Sequence, residues 1–485
     1  MSTRLKNVTP ILVLLFTYHF GFAYHPIMAE ISTPLRRVNV PYLGTYPSES
    51  FEPTIFWFGE VTPSNNYVDV RVYYYDGYLK LVVHIIDRLL WYDRTATTDD
   101  LADWDAVSVY LDLDGKNGGA PSENSFRFIS QLNWFEDDSE WQAAYRGDGN
   151  DWSLDPIAFT TSSAWRGQEL NSEKWDSGWH TSFIIPFTSL GLSSKPPDGA
   201  NWGLSIAVHD RDGLDIIGSS IPDQVWPESM EPDIPASWGK MVFGLPTYQR
   251  PLALAKNTIN IRQGLNGASV VDAHVGGHTN CSRDLWEGGI WDTFGTTNYA
   301  GSDIINIQNQ WDISDFACFS KYYVTFPLDG LPPDQLILSA TLTMHLFGTA
   351  GGGQWGPPPD SYIVVSTVGE DWYEATINWN NAPRPSENVS GAWVKPMQAA
   401  LDWPGESRHW DLSRAVAEAY ENGDSHLRLA LYSIDGDYHT GKYFSSSDRG
   451  DWAAEARPTL SVTIGQLCDS PGIECHFNYL PFVVR

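Results

Sequence analysis

Positive charge is scarce in this sequence. Lys and Arg number 30 against 60 Asp and Glu, so the 485-residue chain carries a formal net charge of −30. A nucleic-acid binder needs a basic surface for phosphates, and an anionic membrane repels so acidic a protein; both classes are disfavoured. Cysteine is also rare, with Cys281, Cys318, Cys468 and Cys475 alone. Their spacing lacks a Cys-x-x-Cys zinc pattern. Outside the cell an even count points to disulfides; four cysteines allow three pairings, of which Cys281–Cys318 and Cys468–Cys475 close the shortest loops. Beyond the N-terminal region no apolar run is long enough to span a bilayer. GxSxG, the P-loop, HExxH and a GxGxxG between strand and helix are all missing, which removes the usual signatures of esterases, nucleotide enzymes and zinc proteases. A glycosidase needs only two carboxylates at the right separation, so hydrolase or lyase chemistry stays open as the lesser alternative.

What is present is aromatic. The 22 Trp, 23 Tyr and 21 Phe rule out a solvated disordered chain and exceed what a core alone explains. Residues 1–29 read as a secretory signal: Arg4 and Lys6, then an apolar run from Ile11 to Phe16, then Ala23 or Ala29 before a cleavage site. The expected location is therefore secreted, in solution or at the cell surface.

Period-two alternation fills the rest. Val68, Val70, Val72 and Tyr74 alternate with Asp69, Arg71 and Tyr73, and Asp76-Gly77 then supplies a hairpin turn. Leu79 to Ile85, Val107 to Leu113 and Trp202 to Val208 repeat the pattern, as do Leu342, Met344 and Leu346 farther on. Each set lines one face of a sheet. Many short strands between Gly, Pro, Asn and Asp loops predict an all-β chain of two tandem β-sandwich or jelly-roll domains. One helix is expected over Asp411–Gly423, capped by Asp411 or Ser413 and ended by Gly423. The proline-bearing stretch LPTYQRPLALA marks a linker. The division is then a sandwich over 30–245, a linker over 246–256, a second sandwich over 257–465 and a tail over 466–485.

The first sandwich resembles family 9 carbohydrate-binding modules and their DOMON-like relatives. The resemblance rests on the order of YYYDGYLKLVVHIID, WDAVSVYLDLDG, WDSGWHTSFIIPFTSLGL, NWGLSIAVHDRDG and SWGKMVFG. The second resembles DNRLRE-type domains, through YYVTFPLDGLPPDQLILSATLTMHLFG, GEDWYEATINWNNAP, the helix and RPTLSV. These resemblances imply carbohydrate binding outside the cell, with a polysaccharide or oligosaccharide as partner. They require no cofactor.

A flat π face packs against the C–H face of a pyranose while polar neighbours orient its hydroxyls. Trp91, Trp134, Trp141 and Trp152 stand near loops rich in Asp, Asn and Gln, with Arg127 and Arg146 as hydrogen-bond donors, and form the expected platform. Trp104, Trp202, Trp238, Trp372 and Trp379 read as core, the last two under the helix. Asp112, Asp114 and Asn117 offer hard oxygen ligands at a strand end, either a structural Ca²⁺ site or a solvated acidic turn. Asp210 and Asp212 are a second such pair. Asn280-Cys-Ser and Asn388-Val-Ser match the glycosylation acceptor pattern. The leading function is non-catalytic attachment to polysaccharide. A structural or adhesive surface protein and a polysaccharide-degrading enzyme are the alternatives.

Overall fold

β-Branched and aromatic residues at period two leave little helix. The computed structural model describes residues 36–44, 51–95, 97–115, 118–134, 138–213, 220–277, 289–310, 318–352, 356–397, 403–436 and 439–467. The signal, Asn117, Asn280, Cys281, Cys468, Cys475 and nearly all of the tail lie outside these residues. No helix among them is long and apolar enough to cross a membrane.

Among the described residues the first lobe holds β1 (Arg37–Val40), β2 (Thr54–Thr62), β3 (Asn65–Tyr74), β4 (Tyr78–Ile86), β5 (Ala106–Asp112), β6 (Ser125–Gln131) and β7 (Gln142–Gly147). It continues with β8 (Trp152–Leu154), β9 (Thr160–Gly167), β10 (Asp176–Pro186), β11 (Asn201–Arg211), β12 (Ser220–Trp226) and β13 (Gly239–Phe243). One sheet runs β2-β3-β4-β10-β9. The other runs β1-β13-β11-β5-β6-β7-β8, with β12 beside the C-terminal half of β11. The alternating valines and leucines of β3, β4, β5 and β11 meet between the two sheets as one core with Phe126, Phe128 and Trp179. The hairpin at Asp76-Gly77 forms as expected, Tyr74 facing Leu79.

The second lobe holds β14 (Ala253–Arg262), β15 (Val271–Gly276), β16 (Ile304–Gln310), β17 (Cys318–Pro327), β18 (Leu336–Thr349) and β19 (Ser361–Thr367). β20 (Glu387–Val394), β21 (Glu406–Asp411), β22 (His426–Ser433), β23 (Lys442–Ser445) and β24 (Thr459–Leu467) complete it. Its inner sheet is β15-β17-β22-β19-β20 and its outer sheet β14-β24-β18-β21. β23 and β16 carry the pairing from one sheet round to the other. The helix forms at Ser413–Asn422, its start fixed by the Asp411 carboxylate on the Ser413 N–H (2.9 Å) and its end by Gly423 in the left-handed region. Val416 buries into the second core, and the Tyr420 hydroxyl donates to the Pro332 carbonyl at 2.6 Å. β14 begins at Ala253, inside the stretch that the prolines mark as linker.

The lobes are parts of one compact unit. A third apolar core lies between the β2-β3-β4 face and the inner sheet of the second lobe, built from Ile55, Trp57, Tyr67 and Ile86 against Val275, Phe319, Tyr323, Trp379 and Tyr432. Trp379 is thus core, but it and Trp372 pack between the lobes rather than under the helix. The central sheet is covered on both faces, so the Asp69 and Arg71 side of β3 is buried as well. Polar groups there are paired across the lobes: Asn39 Nδ2 donates to the Asn388 carbonyl (2.9 Å) and Asn388 Nδ2 to the Asn39 carbonyl (2.9 Å). That commits the Asn388 amide, which is buried and therefore unsuited to glycosylation. Arg36 pairs with Glu228 and Glu370, and a single bridge pair, Arg37 with Glu387, links β1 to β20.

Candidate functional site

The six residues of the expected platform do not share a surface. Trp91 and Trp141 are each 3% exposed, and Trp141 Nε1 donates to the Asp93 carbonyl at 2.7 Å. Rings so buried offer no face to a sugar. Trp152 lies parallel to Trp238 at 6.3 Å and donates Nε1 to Asp233 at 3.0 Å. Arg127 is held over Tyr110 and Tyr145, 5.5 and 5.6 Å from their centroids. Arg146 pairs with Asp155 at 2.9 Å over the Phe126 ring. Trp134 alone is open, 49% exposed and 5.4 Å from Trp165 of the edge strand β9. The polar neighbours misled: Gln131 and Asn133 are buried, and Gln131 ties the 93–101 loop through the Asp93 N–H (3.0 Å) and the Leu101 carbonyl (3.1 Å).

On the outer face of the β5–β11 sheet, Ser108 Oγ lies 2.8 Å from His209 Nε2, and His209 Nδ1 lies 3.0 Å from Asp223. The spacing is that of a nucleophile, base and acid. Ser108, however, is wholly buried in mid-strand with the Arg127 guanidinium 3.4 Å away, so a substrate carbonyl has no approach to its Oγ. This chain orders the sheet face.

The expected Ca²⁺ ligands also diverge. Asp112 is buried near Ser125 Oγ (3.4 Å), whereas Asp114 is exposed and accepts from Asn124 Nδ2 (3.0 Å). Among the described residues a three-carboxylate cluster forms instead from Asp87, Asp105 and Asp210, with ligand atoms within 4.8 Å of one another. They come from the end of β4, the start of β5 and the end of β11, which the sandwich brings to one end of the first lobe. Both Asp105 oxygens accept backbone N–H groups, from Trp91 (2.7 Å) and Arg211 (2.8 Å). Asp87 accepts from Leu89 (3.1 Å) on one oxygen only. Asp87 Oδ2 and Asp210 Oδ1 are buried with no hydrogen-bond partner among the described residues. Burial raises all three carboxyls; neighbouring carboxylates add to it, Asp210 acting on Asp87 and on Asp105, and Asp212 on Asp210, which is raised to about 7. Oxygens on one Ca²⁺ at about 2.3–2.6 Å lie within about 5 Å of each other, so the residues present fit a hard divalent cation. Each of the three aspartates closes or opens an alternating strand in the phrases WDAVSVYLDLDG, VVHIID and AVHDRDG; that shared position was the available sequence signal.

A second feature escaped sequence reasoning altogether. Trp403, in the turn before β21, and Trp452, after β23, are 38% and 70% exposed, with centroids 5.0 Å apart and planes at 77°. Phe347, near the end of β18, lies 6.3 Å from Trp403 at 25°. The Arg449 guanidinium fills the space among the three rings, 4.5, 5.4 and 5.5 Å from Trp403, Trp452 and Phe347, and bridges to Asp303 at 2.5 Å. A cation among rings attracts their faces and so helps to hold them in place. Forty-odd residues separate the two tryptophans, so no local pattern joins them.

Residues 291–463, the stretch carrying these groups, match the sequence profile of carbohydrate-binding module family 96. No curated protein matches the chain significantly. Solved structures similar to part of it include a family 9 carbohydrate binding module from Caldicellulosiruptor kristjanssonii in complex with glucose. That match has a TM-score of 0.30 and 15% identity, over 44% of this chain and 100% of that one. A family 9 carbohydrate binding module from Caldicellulosiruptor kristjanssonii in complex with cellotriose matches with a TM-score of 0.29 and 14% identity, again over 44% and 100%.

Proposed function

We propose that this chain is an extracellular, non-catalytic carbohydrate-binding protein that attaches to polysaccharide through the Trp403–Trp452 pair. The observation that carries this reading is the exposed, cation-braced ring pair inside the stretch that resembles family 96. Two exposed indoles side by side make a contiguous apolar patch, the kind of surface that marks ligand and partner sites. Trp134 beside Trp165 is an open ring pair of the first lobe and a candidate secondary contact.

A glycan array with the full chain tests this. Trp403→Ala and Trp452→Ala are each expected to weaken retention roughly tenfold or more, since loss of a stacked ring and its apolar area removes over about 1.4 kcal/mol. Trp91→Phe is expected to leave it unchanged. Retention unaffected by both alanine variants would remove this pair from the reading.

Ca²⁺ at Asp87, Asp105 and Asp210 serves a structural role in the proposal. Saturating Ca²⁺ at about 100 times its Kd adds roughly 2.7 kcal/mol to stability. The thermal midpoint of the full chain is therefore expected to rise by several degrees over its value in chelator. Asp87→Asn with Asp210→Asn is expected to abolish that rise. An equal midpoint in Ca²⁺ and chelator would rule the cation out.

A further inference from the structure

Arg449 and Trp452 belong to one segment, residues 446–457, between β23 and β24. The ring corner keeps its shape only while that segment stays attached to the lobe. Beyond the Arg449–Asp303 bridge, Ser446 Oγ donates to the Ser302 carbonyl at 2.6 Å. Arg457 Nε donates to the Arg449 carbonyl at 2.7 Å, and its Nη1 to the Gln263 carbonyl at 3.1 Å. Ser447 is buried and gives both its N–H (2.8 Å) and its Oγ (2.7 Å) to the Asp272 carboxyl of β15. Of these anchors Asp272 is the enclosed acid, 2% exposed, and Tyr322 Oη donates to it as well at 2.7 Å.

The other titratable groups around Asp272 come from the elements packed against it. β15 itself supplies His274, two residues on and stacked on Tyr299 at 4.4 Å. β17 supplies Tyr322, whereas Lys321 and Tyr323 point the other way, into the core between the lobes. The 446–457 segment supplies Asp448, which raises Asp272 further. Asp448 is itself raised by burial and by its hydrogen-bonded neighbour Glu374; Arg457 opposes that shift and Asp303 adds to it.

Ionisation of Asp272 puts a charge into this enclosed site. Tyr322 lies within a strand of the inner sheet, but Ser447 lies on a connection between strands. Water therefore reaches the carboxylate with least disruption by release of residues 446–449, not by parting β15 from β17. A carboxyl raised from 3.8 to about 7 holds its proton below neutrality and favours the closed segment there; as pH rises through 7 that preference is lost.

We infer that Asp272 is a positioning residue for the Trp403–Trp452 corner: through Ser447 it holds the segment carrying Arg449 and Trp452, so that glycan is bound more tightly below neutral pH than above it. This rests on the carbohydrate-binding reading above and adds its regulation. The test has two arms on the full chain, both in saturating Ca²⁺. The first needs no ligand. Amide hydrogen exchange of residues 446–457 is followed by mass spectrometry from pH 5.5 to pH 8 and corrected for the intrinsic rate. Protection is expected to fall roughly 30-fold over that range, and by less than about threefold in Asp272→Asn. Asn mimics the protonated acid: its Oδ1 accepts from Tyr322 and the Ser447 N–H, and its Nδ2 donates to Ser447 Oγ. The segment is also expected to exchange faster than β22 at every pH. Exchange no faster than in β22 means that it opens only with the whole fold, and overturns the inference.

The second arm is a glycan array of alginate, polygalacturonate, xylan, glucomannan and laminarin oligosaccharides at pH 5.5 and pH 8, with the strongest ligand then titrated by calorimetry. The native affinity is expected to fall about threefold or more between the two, and that of Asp272→Asn to hold. Asp448→Asn should leave most of the fall in place. Ser447→Ala keeps the N–H bond but removes a donor that the ionised acid needs most, so its affinity should fall more steeply than the native one. A flat native profile, an equal fall in Asp272→Asn, or a fall in Ser447→Ala no steeper than the native one each overturns the inference. Binding to no glycan at either pH overturns the carbohydrate reading, and the regulation with it; the exchange result is unaffected and tells the two failures apart.

Discussion

Arg71→Ala is expected to destabilise the whole chain by roughly 3–5 kcal/mol, the usual cost of stranding one partner of a buried ion pair. Arg71 lies in the middle of β3, pairs with Asp69 on the same strand, and donates Nε to the Ile434 carbonyl (2.8 Å) and Nη2 to the Asp435 carbonyl (3.1 Å) of the second lobe. Asp69 is fully enclosed; burial already raises its carboxyl, and Arg71 is the largest influence holding it down. Removal of the guanidinium leaves a buried carboxylate that must take up a proton, and two lobe-spanning carbonyls lose their donor. The urea midpoint of the full chain, followed by tryptophan fluorescence, measures the effect. Asp69→Leu with Arg71→Met removes both charges at similar volume and should recover most of the loss. A single variant with an unshifted midpoint would show that this ion pair does not hold the lobes together. Lys321 belongs to the same interface, its ammonium 3.6 Å from the Trp379 centroid and 4.7 Å from that of Tyr67. Burial lowers its pKa well below the ordinary value, which makes the interface dependent on the rings and on Asp69 around it.

The second large effect is a dependence on pH set by Asp272. This carboxyl is buried in β15, accepts from Tyr322 Oη (2.7 Å) and from the Ser447 N–H (2.8 Å) and Oγ (2.7 Å), and is raised by burial from 3.8 to about 7. Between those two values the folded chain holds a proton that the unfolded chain has lost. The contribution of Asp272 is therefore fully present below about pH 4, falls as pH rises, and is gone above about pH 7. The span is on the order of 4 kcal/mol. Asp272→Asn has no proton to lose. The stability difference between the native chain and this variant is thus expected to shift by several kcal/mol in favour of the variant between pH 4.5 and pH 8. A difference constant over that range would contradict the buried titration. Asp435, raised to about 6 by burial, adds a smaller slope of the same sign that both proteins share.

These two predictions concern residues that the sequence displayed without revealing their surroundings. Asp69 and Arg71 appear in the alternating pattern of β3 as the polar side of a strand, and in an isolated sandwich that side would be wet. Asp272 follows Val271 in a short apolar run with no partner nearby in sequence. In both cases the partner arrives from far along the chain: Ile434 lies 363 residues from Arg71 and Ser447 lies 175 residues from Asp272.

Local chemistry determined a good deal. Val68 to Tyr74, Leu79 to Ile85, Val107 to Leu111 and Leu342 to Leu346 were legible as strands, with the correct residues facing the cores, because side chains alternate strictly along an extended backbone. The Asp76-Gly77 hairpin and the capped helix were legible because turns and caps are satisfied within a few residues. Only the tertiary structure decided which of the two faces of each strand meets water. It enclosed Trp91 and Trp141, gathered Asp87, Asp105 and Asp210 at one end of a sandwich, and set Trp403 against Trp452 around Arg449. The physical reason is that alternation specifies two faces but not what covers the second one. Exposure of a ring and convergence of carboxylates are set by contacts between distant segments, and period two carries no record of them.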